Sequence, residues 1–387
     1  MSKRVFVTGL GLISGIGKNV DENLQSLLLS RSGIGRIRYL ETKLIDEIPV
    51  SEVKFSLEEL FDLAGLPPAE GFSRNALLGI IAAREACSDA RVDDFPGLRT
   101  ALISATTVGG MDRCELYYED FLENDTRNGY IDCYDCADST EKIAQILGFE
   151  GFATTISTAC SSSANSILLG ARMIRNGKTD RVIAGGCESL TRFHLNGFNA
   201  LKILDKEPCK PFDQNRSGIT LGEGAAYVIL ESEEAVRAGN KKVYAEVAGW
   251  GNSCEAFHQT ASSPDGEGAY LAMQKALNMS GLKAEDIAYI NAHGTGTDNN
   301  DIAEGNAIMR LFNGHVPAVS STKPFTGHTT SAAGSTEAII SILALNNHLI
   351  WPSLNITEPM KEVSFVAVRE LTRSEHMVAV MSNSFGF

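Results

Sequence analysis

Strand-like and helix-like runs alternate along almost the whole chain, and this alternation restricts the possible folds more than any other feature of the sequence. Short β-branched and apolar runs, such as residues 100–105, end in small-residue turns, and longer runs with helical periodicity, such as residues 75–90, come between them. The pattern predicts an α/β fold. The 387 residues, 43% of them hydrophobic, can bury enough apolar surface for one large unit or two fused domains.

The strand and turn rhythm restarts near residue 240. KKVYAEVAGWG (241–251) repeats the basic start, short strand and glycine turn of SKRVFVTGLG (2–11), in which residues 5–8 are the predicted strand. We therefore predict two related halves, residues 1–245 and 246–387, with no low-complexity linker between them. The repeat is short, and two strands with glycine turns also arise by chance in unrelated α/β proteins.

Charge and cysteine usage exclude several classes of function. A formal net charge of −14 argues against general binding to nucleic acid or to anionic membranes. We find no apolar run long enough to span a bilayer and no secretory signal at the start, so no membrane insertion is expected. The eight cysteines lack the spacing of a disulfide framework, which favours a reducing cytoplasm. One C-x-x-C, Cys133 and Cys136, without a second pair does not indicate zinc, so we expect no metal.

One cysteine stands at a predicted strand–helix junction, in TTISTACSSSANSILLG (154–170). The thiolate is the reactive form of cysteine, and the amino end of a helix lowers the pKa of a thiol. The serines that follow Cys160 suit the first turn of a helix over residues 161–175, where hydroxyls can satisfy free backbone N–H groups. A nucleophilic Cys160 is one interpretation; close packing of small residues is the other, and this stretch alone leaves both open.

Two further junctions carry histidines. INAHGTGTDNNDIAE (290–304) takes His293 from a strand into a glycine turn, and SSTKPFTGHTTSAAGSTEAII (320–340) does the same for His328, five residues after Lys323. The helices that follow carry three acidic residues: Asp301, Glu304 and Glu337. Each stretch alone is also explained by a capped helix start. Because sites in open α/β sheets gather at the carboxyl ends of strands, the three junctions together predict one site.

These segments, TACSSS, HGTGTDNND and KPFTGH, resemble in order and separation the Cys–His–His signature of the elongating β-ketoacyl-[acyl carrier protein] synthases. KPFDQNRSGITLGEGAA (210–226), TGLGLISGIG (8–17) and MSNSFGF (381–387) resemble further segments of that family, so the resemblance covers essentially the whole chain. It implies a thiolase-like fold, in which two related α/β halves form a five-layered α-β-α-β-α core.

The resemblance also implies roles for individual residues. Cys160 is similar to the nucleophile that takes an acyl chain as a thioester, and His293 and His328 to the pair that bind the thioester carbonyl of malonyl-carrier protein during decarboxylation. Lys323 is similar to the lysine that the family needs near these histidines. The backbone N–H groups of Cys160 and Phe387 match the oxyanion hole, and Phe387 also matches an aromatic gate. Supporting positions follow: Asp301, Glu304 and Glu337, expected to order the lysine and nearby loops, and Val108, expected to line the acyl pocket.

The partners implied by the resemblance are acyl- and malonyl-loaded acyl carrier protein and a second copy of the chain in a homodimer. Phosphopantetheine arrives on the carrier, so no further cofactor is expected. Because carrier proteins are acidic, a basic docking patch is expected; the candidates are Arg127, Lys202, Lys206 and Lys210. So thin a patch suits a carrier other than the housekeeping one.

The sequence departs from the family pattern at a few positions. These are Pro324, Ser331, Ser217 and Ile219. They imply an altered pocket shape with the chemistry intact. The family continues past Phe387 with a Gly-Gly segment and a final strand, which we expect to be missing here.

Three other functions compete with a condensing enzyme of fatty acid, polyene or polyketide synthesis. A non-catalytic chain-length partner of a heterodimeric synthase would lack the nucleophile, whereas Cys160 is present. A cysteine hydrolase using Cys160, His293 and Asp301 leaves His328 and Lys323 unexplained. A degradative thiolase needs a second active cysteine near the C-terminus, and none follows Cys254.

Overall fold

The computed structural model describes residues 3–92, 97–124, 126–258 and 261–386. Its strands are β1 (Val5–Ser14), β2 (Thr100–Ala105), β3 (Phe152–Ile156), β4 (Arg181–Glu188), β5 (Gly224–Ser232), β6 (Ala245–Glu246), β7 (Ile287–Asn291), β8 (Ala318–Ser320), β9 (Leu349–Ile350), β10 (Thr372–Arg373) and β11 (Ala379–Ser382). Its helices are α1 (Val20–Leu28), α2 (Leu57–Ala64), α3 (Arg74–Asp89), α4 (Met111–Asn124), α5 (Asn128–Asp132), α6 (Cys136–Ile146), α7 (Ser162–Arg175), α8 (Arg192–Ala200), α9 (Glu233–Gly239), α10 (Glu267–Ser280), α11 (Asp298–Phe312), α12 (Lys323–Thr326) and α13 (Ala333–Asn347).

Two sheets organise the described part of the chain. The larger has the strand order β3-β2-β4-β5-β1-β6, with β3, β2 and β4 parallel and the remaining neighbours antiparallel. The smaller has the order β11-β7-β8 and is parallel throughout. Strands β9 and β10 form a separate antiparallel pair. The strands that precede the three predicted junctions are therefore β3 in the larger sheet and β7 and β8 in the smaller.

Helices α7 and α13 lie between the two sheets. One apolar cluster joins Ala171 of α7 and Ile340 of α13 to Val228 of the larger sheet and to Tyr289 of β7. Helix α13 is buried over most of its surface, as expected for a helix covered on both sides. A second cluster joins α3 to the outer face of the larger sheet, and a third joins α10 and α11 to the outer face of the smaller. The layers run α-β-α-β-α, which confirms the predicted α/β class and five-layered core.

Strand β1 is longer than predicted. Its glycines were expected to form a turn after residue 8, but β1 runs from Val5 to Ser14 and pairs with β5 along its length. The glycines serve close packing instead: a Cβ at Gly11 would lie 1.9 Å from the carbonyl oxygen of Ala82 in α3. Glycine in a strand interior marks a close approach of another backbone as readily as a turn.

The division into two related halves stays a prediction. Strand β6, at the predicted boundary, pairs with β1 of the larger sheet. In the residues that the structure describes, no helix is long and apolar enough to cross a membrane.

Candidate active site

Cys160 lies on a sharp turn between β3 and α7. Ala159 adopts the left-handed conformation, with φ of +50°, and α7 begins at Ser162. Few residues other than glycine adopt this conformation, so the turn is held by its surroundings. It places the thiol, which is only 7% exposed, at the amino end of α7.

The serines after Cys160 do not cap α7, and that prediction was wrong. Ser162 Oγ accepts a hydrogen bond from the backbone N–H of Thr158 over 2.8 Å and so fixes the turn that carries the thiol. Ser163 Oγ accepts from the backbone N–H of Ser335 over 2.9 Å. The hydroxyls thus hold the turn at Cys160 and join α7 to α13, a contact between helices distant in sequence.

The structure brings the three predicted junctions together. His293 follows β7, and His328 follows α12, the short helix that succeeds β8. The two imidazole rings meet edge to face, with centroids 5.2 Å apart. The Cys160 sulfur and one nitrogen of each histidine lie within 4.8 Å of one another. All three side chains are buried, so chemistry at this point is shielded from bulk water.

Lys323 selects the tautomer of His293. Its Nζ lies 3.2 Å from His293 Nδ1 and also contacts the His293 carbonyl oxygen and the Glu337 carboxylate. An ammonium group only donates hydrogen bonds, so Nδ1 must accept. The proton of the neutral ring is then on Nε2, which remains available as a donor to a ligand.

Burial controls the charges of the site. It lowers the pKa of His293 well below its usual value, and Lys323 lowers it further; burial has the same effect on the pKa of His328. Both imidazoles are therefore neutral at pH 7. Burial raises the pKa of the Cys160 thiol to about 12, opposed by Lys323 and reinforced by the carboxylates of Glu188 and Glu337. This contradicts the lowered pKa expected from the amino end of α7, because loss of hydration outweighs the helix dipole.

The three predicted supporting carboxylates have different contacts. Glu337 contacts Lys323, and burial raises the pKa of Glu337 to about 7. Glu304 accepts from the backbone N–H of His293 over 2.9 Å and from that of Gly294 over 2.8 Å. Asp301 accepts from the backbone N–H of Gly296 over 3.2 Å. In the hydrogen bonds of the described residues only Glu337 reaches the lysine, and the other two order the turn that carries His293.

A cavity of about 280 Å³ opens onto Cys160 and both histidines. Apolar side chains of Phe198, Ile219 and Phe385 form part of its wall. Hydroxyl and amide groups line the remainder, among them Thr295, Thr297 and Asn299. The mixture suits an extended molecule that has both amide and apolar parts.

Two of the predicted site residues, Val108 and Phe387, do not belong to the described wall of this cavity. Val108 is buried and does not line it, so the cavity does not extend to the predicted acyl pocket. Phe387 lies outside the described residues. Its neighbour Gly386 passes close to the reactive turn, because a Cβ there would lie 2.8 Å from the backbone nitrogen of Cys160.

Sequence reasoning missed Glu188, the last residue of β4. Its buried carboxylate accepts hydrogen bonds from residues of two different loops beside the site. The only signal in the sequence was a carboxylate at the carboxyl end of an otherwise apolar strand.

The four predicted docking residues are not equivalent. Arg127 is 3.2 Å from Asp120 and lies over the ring of Tyr117. Lys210 Nζ is 2.8 Å from Glu207. Lys202 is exposed and lines the cavity, and Lys206 is exposed. Half of the predicted basic patch is therefore already paired with acidic groups of the same chain.

The donor set of Cys160, His293 and His328 contains the atom types that zinc prefers. Lys323, however, donates to the free lone pair of His293 and leaves the proton on the other ring nitrogen. A metal ligand needs a free nitrogen lone pair, and neither nitrogen of this ring has one, so the arrangement opposes metal binding. The absence of a resident metal stays a prediction.

Comparison with known proteins gives consistent matches along the chain. The family model described as "Beta-ketoacyl synthase, N-terminal domain" matches residues 2–235, and "Beta-ketoacyl synthase, C-terminal domain" matches residues 244–357. The 3-oxoacyl-[acyl-carrier-protein] synthase 2 of Vibrio cholerae is 34% identical, with 100% of this chain and 97% of that protein covered. The same-named protein of Staphylococcus aureus is 32% identical, with 100% and 96% covered.

Solved structures match equally well. The ishigamide ketosynthase/chain length factor superposes with a TM-score of 0.92 at 31% identity, covering 100% of this chain and 97% of that one. The ketosynthase ApeO, solved in complex with its chain length factor ApeC from Xenorhabdus doucetiae, gives 0.83 at 30% identity, covering 100% and 95%.

Proposed function

Because the chain belongs to the β-ketoacyl synthase family, we propose that it is a 3-oxoacyl-[acyl carrier protein] synthase. It extends an acyl chain by decarboxylative Claisen condensation, in fatty acid synthesis or a related polyene or polyketide route. The observation that carries the proposal is the buried group of one thiol and two neutral imidazoles, with Lys323 in contact with one ring.

The first step is transfer of the acyl chain to Cys160. Because the resting group is a thiol with a raised pKa, its proton leaves as sulfur attacks the acyl thioester and passes to the departing carrier sulfur. The Cys160 S–C bond forms, the carrier S–C bond breaks, and the carrier thiolate takes the proton. The tetrahedral oxyanion is stabilised by the backbone N–H of Cys160, with that of Phe387 as the second expected donor.

The second step is decarboxylation of malonyl-carrier protein. The C–C bond to the carboxylate breaks, carbon dioxide leaves, and the electron pair becomes an enolate. Two aimed N–H donors stabilise the enolate oxygen, and Nε2–H of His293 is one because Lys323 holds its Nδ1 as an acceptor. His328, whose ring meets that of His293 edge to face, supplies the second donor. Neutral imidazoles are weak acids, so they stabilise the enolate without protonating its carbon.

The third step joins the two carbons. The enolate carbon attacks the acyl-Cys160 thioester, the tetrahedral intermediate collapses, and the S–C bond to Cys160 breaks. The thiolate then takes a proton from water, because burial gives it a pKa of about 12, and this is the one proton that the whole cycle consumes. The 3-oxoacyl product leaves on the carrier, whose phosphopantetheine arm is the sole prosthetic group in the proposal.

We also propose a homodimer in the cytoplasm as the working form. Strand β3 is an edge of the larger sheet and exposes Phe152, which is 55% exposed. An exposed strand edge beside an apolar side chain favours pairing with another chain. A chain length factor, as described for the ishigamide and ApeO relatives, would compete for this edge; Cys160 favours the catalytic subunit for the present chain.

The test is intact mass spectrometry with a panel of acyl-carrier proteins, followed by malonyl-carrier protein. We expect an acyl adduct on the wild type and a 3-oxoacyl product after the second addition. Cys160→Ala should take no adduct, whereas Cys254→Ala, which removes an exposed cysteine, should behave as the wild type. Absence of acylation with every donor would disprove the proposal, and a free acid product in place of the ketone would indicate a hydrolase.

A further inference from the structure

Glu188 holds the turn that precedes α4. Its carboxylate, fully buried, accepts from Thr106 Oγ1 over 2.7 Å and from the backbone N–H of Thr107 over 3.0 Å, and the Thr107 hydroxyl contacts it as well. The backbone N–H of Val108 is a longer contact, at 3.4 Å. The position of the Val108 backbone is therefore set by this carboxylate.

The same carboxylate holds the turn that follows His328. Thr330 Oγ1 donates to it over 3.1 Å and the backbone N–H of Ser331 over 3.3 Å. Thr330 has φ of +43°, a conformation that residues other than glycine rarely adopt. Such strain persists only where neighbours fix it, and Glu188 supplies two of the fixing contacts.

Glu188 acts as a hydrogen-bond acceptor in all of these contacts. Six N–H or O–H groups of the described residues donate to its carboxylate. In the described part of the chain no lysine or arginine forms a salt bridge with this carboxylate. A buried carboxyl group is costly unless its hydrogen bonds are made, so these donors account for its place in the core.

We propose that Glu188 is a positioning residue that fixes His328 relative to the turn at Thr107 and Val108. It thereby couples transfer of the acyl chain to Cys160 with decarboxylation of the malonyl group. This inference rests on the proposed function. The resemblance places the acyl pocket at Val108, beside one turn, and the proposed function places the malonyl carbonyl at His328, beside the other. A single carboxylate links the two turns, so the occupancy of the acyl side reaches His328 through Glu188.

The test compares Glu188→Gln with Glu231→Gln. Glu231 is also buried and lies on β5, opposite Arg181 at the far end of the same strand pair, so it controls for loss of a buried carboxylate. Glutamine retains the shape but replaces one acceptor oxygen by a donor. We expect Glu188→Gln to lower kcat for condensation about 10- to 100-fold, the range typical for outer partners of catalytic groups. The KM for malonyl-carrier protein should change less than about twofold, because no substrate contact is removed.

A second readout separates positioning from general damage. The titratable or charged groups around the thiol are Lys323, Glu337, Glu188, His293 and His328. Removal of one negative charge from this set favours the thiolate, so iodoacetamide should alkylate Cys160 faster in Glu188→Gln than in the wild type at pH 7. If the substitution only disordered the site, condensation would slow and KM would rise, but alkylation of Cys160 would not become faster.

The outcomes are distinct. Slower condensation together with faster alkylation, both absent in Glu231→Gln, supports the inference. Equal behaviour of the two variants in both assays overturns it while the proposed function stands. If the wild type fails to condense, the proposed function fails, and unchanged alkylation in Glu188→Gln then overturns the role of Glu188 separately.

Discussion

Replacement of Lys323 by methionine should invert the tautomer of His293. Lys323 is 1% exposed and its Nζ contacts both His293 Nδ1 and the Glu337 carboxylate. Methionine has similar length and no charge, so the Glu337 carboxyl, which shared Lys323 Nζ with Nδ1, is left as an acceptor for a proton on Nδ1. The ring then carries its proton on Nδ1 and presents a lone pair, not an N–H, to the enolate oxygen.

The size of the effect follows from what is lost. Removal of one preorganised donor to a developing oxyanion costs about 10²- to 10³-fold in rate. Separation of a buried ion pair costs about 3–5 kcal/mol of stability when the remaining charge stays ionised. Burial already raises the pKa of Glu337 to about 7, and loss of Lys323 raises it further, so this cost is smaller at pH 6 than at pH 8.

The assay follows acetyl-carrier protein released from malonyl-carrier protein, and thermal unfolding is recorded in parallel. Lys323→Met/Glu337→Leu should recover part of the decarboxylation rate, because leucine removes the acceptor that inverts the tautomer. Lys241→Met is the matched control, since Lys241 is also buried but donates to carbonyl oxygens at Ala90 and Arg91. A single variant with the wild-type rate, or a double variant slower than the single, would refute the tautomer argument.

Two further predictions follow from packing and burial. Gly386→Ala should slow acylation of Cys160 at least about tenfold, because the new Cβ would lie 2.8 Å from the Cys160 nitrogen. Timed intact-mass measurements would show the slower acylation. The control is Gly197→Ala, because a Cβ there meets no atom within 4 Å. Burial raises the pKa of Glu85 from its usual 4.5 to about 7, so the stability linked to its proton is complete below pH 4.5 and is lost as pH rises through 7. Urea unfolding should show the wild type losing about 2 kcal/mol more than Glu85→Gln between pH 5 and pH 8, and identical pH profiles would contradict the assignment.

The sequence predicted the parts of the site that depend on local pattern. Cys160 and His293 each follow a strand and precede a helix, and strand ends are readable from β-branched runs that stop at small residues. At His328 the prediction was incomplete, because the short helix α12 lies between β8 and this residue. Helix α3, predicted over residues 75–90, lies at Arg74–Asp89. The resemblance supplied the five-layered order, which no local pattern contains.

The parts that failed depend on contacts between distant segments. Ser163 was expected to cap its own helix, but the partner of its hydroxyl is Ser335, 172 residues away. The thiol of Cys160 was expected to have a pKa lowered by the helix alone. Burial among segments distant in sequence instead raises this pKa. Glu188 escaped notice because its five hydrogen-bonding neighbours come from two loops that the sequence does not show to be adjacent.

The raised pKa of Cys160 is compatible with its role once the whole cycle is considered. Nucleophilicity of a thiolate falls as its pKa falls, so a thiol of high pKa is the stronger nucleophile when its proton leaves during attack. The malonyl group then brings one negative charge into the site, and that charge passes to the enolate and finally to the departing thiolate. Because both imidazoles are neutral and Lys323 pairs with Glu337, the substrate and each later intermediate add one negative charge to the site. Protonation of the thiolate, favoured by a pKa of about 12, removes that charge and returns the site to its resting state.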